Sequence, residues 1–369
     1  MIHVVQVLSD TNIGGAGKYL MNYLKYYDRK TFTVTVILPI GSRLADAVRA
    51  CPEVRLIEAP YMADKSYDKR CVAHLKEVFD EIKPKLLHTH ASLSARIAGR
   101  KAKVPVILST RHCIEPVPHG LKALALATAN NALCDYYIAV ADAVVKNLKD
   151  CGIKKEKIKL VNNGVEPVRR LSPEERAEVR ASLGIAPEDT AFGIFARLEP
   201  IKGHKYFIKA ARQVLKDESG AKFFIVGSGS QEEDLKQLTA HYGLEEHVIF
   251  TGFKEDTTPL LNAMDVNVNA SESEAMSLSV LEAMSLGLPS IATKNGGNRE
   301  LVHNEVDGLL VGYADSASMA LAMTRLMHDT EARAAMAKNA AESYLKNYTV
   351  QTMVNRLESV YKEVLHHAD

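Results

Sequence analysis

No apolar run in the 369-residue chain reaches the roughly 18 residues that a membrane-spanning helix requires. A Cys-x-x-Cys pair is also missing. The five cysteines (Cys51, Cys71, Cys113, Cys134 and Cys151) are scattered through the first half without metal-ligand spacing, which predicts reduced thiols in a reducing compartment. No Asp-x-Asp occurs, so no obvious carboxylate pair is offered to hold Mg²⁺ on a diphosphate. There is no short repeat and no low-complexity tract. The opening residues, Met1 to Leu8, read as a strand and lack the basic start and apolar core of a signal peptide. The chain is therefore expected in the cytoplasm, with the inner face of the plasma membrane as a candidate docking surface.

What is present fits a globular protein. Apolar residues make up 47% and charged residues 25%, and the length suits two domains better than one. The net charge of +1 conceals an asymmetry. Residues 1–170 carry 27 Lys and Arg against 16 Asp and Glu, a net of +11, and the remainder is net −10. A basic half beside an acidic half points either to an anionic partner or to two domains that attract each other. An anionic membrane is the candidate partner; nucleic acid is weighed but not expected.

Short β-rich runs alternate with helical stretches in both halves. The first half offers 4–8, 33–38, 54–57, 86–89, 106–109, 136–139 and 158–161 as strands. The second offers 191–196, 222–226, 247–250, 266–269, 290–292 and 308–311. Such alternation predicts parallel sheets covered on both faces, and ligands at the carboxyl ends of the strands. The polar stretch 166–174, with Pro167 and Pro173, reads as a linker, and residues 316–366 read as wholly helical.

The most telling segment runs from Ser271 to Glu300. Glu274 sits in a Ser-rich entry, and Glu282 lies eight residues on, inside a helix expected to start near Ser277 or Ser279 and stop at Gly287. A helix N-terminus suits a phosphate, and flanking carboxylates, which only accept hydrogen bonds, suit hydroxyls. A phosphate flanked by hydroxyls describes a nucleotide sugar.

Other motifs agree. The glycine run 14–17 after the first strand fails both the Walker A and the dinucleotide patterns, because position 12 is Asn12 and position 20 is Leu20. It still lets a ligand approach the backbone before a helix, although a plain tight turn is the alternative. Gly227 and Gly229 end another strand, with Glu232 where a nicotinamide fingerprint needs its third glycine. Arg197 and Lys202, across a turn containing Pro200, can converge on one anion. His88, His90 and His112 end neighbouring strands. With no adjacent Cys or carboxylate they read as hydrogen-bonding and proton-transfer groups rather than metal ligands. The segment 116–133, with Leu121, Leu124 and Leu126 beside Lys122, reads as an ordinary buried helix or as a surface for a membrane or lipid tail.

Together these motifs resemble the retaining glycosyltransferases of family 4. The resemblance rests on Gly14 and Gly15, His90, Thr110 to His112, Asn163 to Val165, Arg197 with Lys202 and Gly203, Gly227 to Gly229, Gly252, the Glu274 and Glu282 pair, Gly287, and Gly296 and Gly297 with Glu300. It implies the GT-B architecture: two Rossmann-like doubly wound α/β domains with a cleft between them. The implied division is an acceptor-binding domain over 1–168, a nucleotide-sugar domain over 169–347, and a last helix over 348–369 that returns to the first domain.

The resemblance further implies that His112, Arg197, Lys202 and Glu274 serve the chemistry. Gly14, Gly15, Asn163, Gly227, Gly229, Phe253, Ala275, Met276, Ser277, Leu278, Ser279 and Glu282 would line the donor, a nucleotide sugar with UDP favoured over GDP or ADP. His90 and Arg111 would face the acceptor, a glycan or lipid-linked precursor, and neither metal nor other cofactor would be needed. One departure is that relatives often carry Gly and then Phe, Leu or Pro after the first glutamate. This chain has Ala275, Met276 and Ser277, so the sugar is not inferred from relatives. A UDP-sugar 2-epimerase of the same fold and a non-catalytic glycan- or nucleic-acid-binding module are the alternatives.

Overall fold

The computed structural model describes residues 1–11, 14–90 and 92–367. They form two compact units, Met1–Gly164 with Val350–Asp369, and Val165–Thr349. The sequence-based boundaries at 168 and 347 lie a few residues from these divisions. Where the chain passes between units, Val165 pairs with Thr349 in a parallel bridge, and its N–H donates to the Tyr348 carbonyl at 3.1 Å.

The first unit is built on β1 (Ile2–Leu8), β2 (Phe32–Pro39), β3 (Val54–Ala59), β4 (Leu86–His90), β5 (Val106–Arg111), β6 (Tyr136–Ala139) and β7 (Ile158–Leu160). These lie in the order β3-β2-β1-β4-β5-β6-β7, and every neighbouring pair is parallel. Parallel strands need helices on both faces, so their interiors read as unbroken apolar runs; Val4, Val5, Val7 and Leu8 are all buried. One face is covered by the helices Gly15–Tyr26 and Val350–His366. The latter places Met353, Val354, Leu357, Tyr361 and Val364 in the core at helical spacing.

In the second unit, β8 (Thr190–Phe195), β9 (Ala221–Val226), β10 (Val248–Gly252), β11 (Val266–Asn269), β12 (Ser290–Thr293) and β13 (Gly308–Val311) form an all-parallel sheet. Its order is β10-β9-β8-β11-β12-β13. Each sheet is doubly wound. The strand order reverses between β1 and β4 in one unit and between β8 and β11 in the other, and crevices open at such points.

Two sequence-based readings need correction. The stretch 316–366 is three helices, Ser316–His328, Thr330–Asn347 and Val350–His366, because Asp329 caps the second with its side chain and Thr349 is drawn into the bridge with Val165. The segment around 116–133 is not an ordinary buried helix. Helix Gly120–Leu133 has no buried residue, with Leu121 87% and Leu124 67% exposed. No helix among the described residues is long and apolar enough to cross a membrane.

Candidate functional site

In the first unit the switch point gathers three histidines. The β1–β4 register sets Gln6 beside His88 and Leu8 beside His90, and β4–β5 sets His90 beside Thr110. Paired residues of parallel strands share a face, so Gln6, His88, His90 and Thr110 form one polar strip within an apolar surface. A continuous hydrogen-bonded chain runs along it. His112 Nε2 lies 2.8 Å from His90 Nδ1, and His90 Nε2 lies 3.1 Å from Gln6 Oε1. Gln6 Nε2 donates to the Tyr361 hydroxyl at 2.8 Å. That hydroxyl is 2.6 Å from His88 Nδ1, and His88 Nε2 is 2.6 Å from Thr110 Oγ1.

The rings reinforce the chain. His90 and His112 stack with centroids 5.1 Å apart, and Tyr19 presents its ring edge-on to both. Burial pulls His88 down to about 3 and His112 to about 4. His90 is held well below its ordinary value by burial and by its two imidazole neighbours. All three are therefore neutral near pH 7. No group of three or more His, Cys, Asp or Glu placed to hold a metal ion occurs among the described residues.

Around this strip, Gly14 is the cap residue of helix Gly15–Tyr26, with no side-chain cap and no acidic residue in the first turn. The first-turn N–H groups lack intrahelical partners, and the helix is the first after β1. Asn12 and Ile13, just before the glycine run, lie outside the described residues. Arg111 is half-buried, its guanidinium pushed down by burial, and paired with Glu115. Asn163 is buried.

In the second unit the switch point carries the carboxylates. Glu274 Oε1 accepts from Lys202 Nζ at 2.7 Å, from Ser271 Oγ at 2.6 Å and from Asn269 Nδ2 at 3.3 Å. The same Asn269 amide reaches Ser277 Oγ at 3.0 Å. Ser277 caps helix Leu278–Leu286 by accepting from Val280 N–H at 3.4 Å. The N–H groups of Leu278 and Ser279 have no intrahelical partner in that first turn. The helix buries Val280, Leu281, Ala283, Met284 and Leu286. Ser279 and Glu282 fall on its less buried side. Ala275 and Met276 are buried, Arg197 is exposed, and Phe253, just past β10, is 73% exposed.

Several glycines are explained by backbone meeting backbone. A Cβ on Gly203, at φ +71, would sit 2.1 Å from the Ala270 carbonyl oxygen, and one on Gly297 would sit 1.9 Å from that of Ala275. Gly297 N–H donates to the Glu274 carbonyl at 2.9 Å, which ties the glycine pair to the carboxylate loop. At Gly227 and Gly229 a Cβ would meet the carbonyl oxygens of Ala196 and Leu198 at 2.1 and 2.6 Å. Protein already fills that space, so these two glycines let the β9 loop pack on the Arg197 loop.

Within the second unit, Lys202, Glu274 and Ser277 thus come together through Asn269. The sequence treats Lys202 and Glu274 as separate groups, whereas they form an ion pair. Gln6, Tyr361 and Asn269 escape the sequence reading, and Ser271 enters it only as the start of the carboxylate segment. Gln6 carries a signal, a polar residue inside the apolar run Val4–Leu8; Tyr361 has none nearby.

Two family models match the chain: Glycosyltransferase Family 4 over residues 13–169 and Glycosyl transferases group 1 over residues 175–343. The chain belongs to glycosyltransferase family 4. This family 4 chain is 27% identical over 354 residues to the UDP-Gal:alpha-D-GlcNAc-diphosphoundecaprenol alpha-1,3-galactosyltransferase of Escherichia coli, a match covering 89% of this chain and 87% of the relative. It is 24% identical to the N-acetyl-alpha-D-glucosaminyl L-malate synthase of Bacillus anthracis, covering 81% and 80%. Among solved structures, Anabaena HepE in complex with UDP and glucose superposes with a TM-score of 0.86 at 23% identity, over 98% of this chain and 100% of that one. The lipopolysaccharide-biosynthesis glycosyltransferase WaaG gives 0.73 at 15%, over 97% and 99%. The fold is that of the GT-B glycosyltransferases, and the chain is a glycosyltransferase.

Proposed function

We propose that this enzyme moves a sugar from a UDP-sugar to a hydroxyl of a lipid-linked glycan precursor, with retention at the anomeric carbon and without a metal ion. The observation that carries the reading is the Lys202, Glu274 and Ser277 cluster at the switch point of the second unit. It brings a cation from the loop after β8 to an acceptor-only carboxylate and a capped helix N-terminus in the loop after β11. Lys202, Arg197 and the first-turn N–H groups of Leu278 and Ser279 stabilise the charge that builds on the departing diphosphate. Glu274 accepts from hydroxyls of the transferred sugar and Glu282 from the ribose. Phe253 offers an exposed ring to the base. His112, held neutral, meets the reacting sugar.

In the reaction the bond from the anomeric carbon to the diphosphate oxygen breaks. The acceptor oxygen bonds on the same face and its proton passes to the departing phosphate, so no side chain serves as a covalent nucleophile. The name of the Escherichia coli relative pairs a UDP-sugar with a diphospho-lipid-linked sugar, which supports that acceptor class. The exposed Leu121 and Leu124 give the first unit an apolar face for an anionic membrane. The two relatives compared by sequence are a transferase and a synthase, and nothing favours the epimerase alternative.

The deciding experiment supplies a panel of UDP-sugars and a short polyprenyl-diphosphate-linked GlcNAc in excess EDTA, and reads product anomeric configuration by NMR. A retained-configuration disaccharide on the lipid is expected. Isomerised UDP-sugar without transfer would turn the reading to an epimerase, and the absence of any UDP-dependent rise in Tm would remove the donor assignment.

A further inference from the structure

The buried chain from His112 to Thr110 has a direction, and the direction decides what His112 can offer. Gln6 sits with its carbonyl oxygen 3.1 Å from His90 Nε2 and its amide nitrogen 2.8 Å from the Tyr361 hydroxyl. A carbonyl only accepts, so His90 carries its proton on Nε2. A neutral His90 then has a bare Nδ1, so the 2.8 Å contact is a bond donated by His112 from its own Nε2. The second ring nitrogen of His112, Nδ1, is left as an acceptor. On the other side, the Tyr361 hydroxyl accepts from Gln6 and donates to His88 Nδ1, and His88 donates from Nε2 to Thr110.

Turning the Gln6 amide over would reverse every bond. Its NH₂ would face a bare His90 Nε2, His90 would donate to His112, and His112 would present a donor instead. A glutamine has two possible orientations, and the structure records the one with its oxygen toward His90 and its nitrogen on the Tyr361 hydroxyl.

We propose that Gln6 and Tyr361 are positioning residues that lock His112 in the tautomer protonated on Nε2, so that it presents Nδ1 as a hydrogen-bond acceptor. The proposal rests on the proposed function for the role of His112 at the sugar, but the tautomer itself does not depend on that role. A Tyr side chain from the last helix thereby reads across to an imidazole at the end of β5, through an amide on β1 and an imidazole on β4. An acceptor at that position favours a substrate that brings a hydroxyl proton to it, and disfavours one bringing a bare carbonyl.

The experiment uses the full chain with ¹⁵N-labelled histidine, where two-bond ¹H–¹⁵N spectra separate a protonated ring nitrogen from a bare one. The comparison is wild type, Tyr361→Phe, Gln6→Met and Tyr23→Phe. Tyr23 lies in the same apolar cluster, its ring 6.0 Å from that of Tyr361, and its buried hydroxyl has no hydrogen-bond partner among the described residues, so its variant controls for loss of a phenolic oxygen alone. Wild type and Tyr23→Phe are expected to show His112 protonated on Nε2 only. Tyr361→Phe and Gln6→Met are expected to show a mixture of tautomers, with kcat for sugar transfer down roughly tenfold to a hundredfold and donor KM little changed.

A wild-type His112 protonated on Nδ1 overturns the proposal, as does an unaltered His112 signature in both Tyr361→Phe and Gln6→Met. The spectra need no substrate. A correct tautomer pattern with no transfer to any acceptor would remove the proposed function and leave the positioning roles standing.

Discussion

Lys202 Nζ and Glu274 Oε1 meet at 2.7 Å across 72 residues of chain, and the pair is only partly exposed. Each group therefore fixes the other at the carboxyl ends of β8 and β11. An incoming diphosphate competes with Glu274 for the lysine, while an incoming sugar hydroxyl competes with the lysine for Glu274. Lys202→Ala should lower the transfer rate about 10²- to 10³-fold, the usual cost of losing one fixed donor to developing charge. Ser271 and Asn269 still hold Glu274, so the fold should survive. Full turnover in this variant, measured as kcat at saturating donor, would remove Lys202 from the chemistry.

Ser277 does two things at once. Its hydroxyl caps helix Leu278–Leu286 and receives the Asn269 amide. Ser277→Ala should cost about 1 kcal/mol for the cap, and the Asn269 amide, which loses one of its two partners, keeps its bond to Glu274. Urea unfolding should show a lower midpoint at unchanged slope, and donor KM should rise because the helix start is no longer anchored.

The imidazole strip predicts a dependence on pH with a definite sign. His88 and His112 take up protons only near 3 and 4 when folded, against 6.5 for an ordinary histidine. Between those values the unfolded chain binds more protons, so stability should be level above pH 6.5 and fall as the pH drops below it. Side-chain NMR titration should show the His88 and His112 resonances unmoved from pH 8 to pH 5. A midpoint near 6.5 for either would contradict the buried, neutral network.

Gly297→Ala should be more damaging than its size suggests. The new Cβ would lie 1.9 Å from the Ala275 carbonyl oxygen and must push the Glu274 loop aside. Gly203→Ala combines a 2.1 Å clash with a left-handed backbone. Each should cost about 2–4 kcal/mol in denaturant titration, with activity falling further than stability in the first case. Gly243→Ala, where a Cβ meets open space at φ +65, isolates the backbone strain alone.

Leu121→Glu with Leu124→Glu should leave stability within about 0.5 kcal/mol, since both positions are surface-exposed. The double variant should sediment less with anionic vesicles at low salt, and its rate with a water-soluble acceptor should be unchanged. Equal vesicle binding by both proteins would overturn the proposed role of this helix at a membrane.

The strands were legible because a sheet covered on both faces leaves continuous apolar runs between polar turns, and those runs survive in any context. The carboxylate loop was legible because Ser277, Glu282 and Gly287 mark the start, face and end of one helix locally. Three features were not. The exposed helix Gly120–Leu133 has the same Leu and Ala content as a buried one, and composition does not record which surfaces the fold leaves open. The glycines at 227 and 229 are read from the sequence as lining the donor, but the sequence does not show that a Cβ at either would meet the carbonyl oxygens of Ala196 and Leu198, about thirty residues earlier. Tyr361 reads as one more core residue until the register of β1 against β4 brings Gln6 and His88 to its hydroxyl.

The return of residues 350–366 to the first unit also orders the events of biosynthesis. A ribosome releases the first 164 residues with one face of their sheet covered by helix Gly15–Tyr26 alone, because Met353, Leu357 and Tyr361 have yet to be made. The whole second unit is translated in between, so it can close its own core first, reversing the usual order in which the N-terminal domain folds ahead of later segments. Until residue 361 leaves the exit tunnel, Gln6 and His88 lack their shared hydroxyl, and a nascent chain stalled before that point carries an unfinished imidazole network.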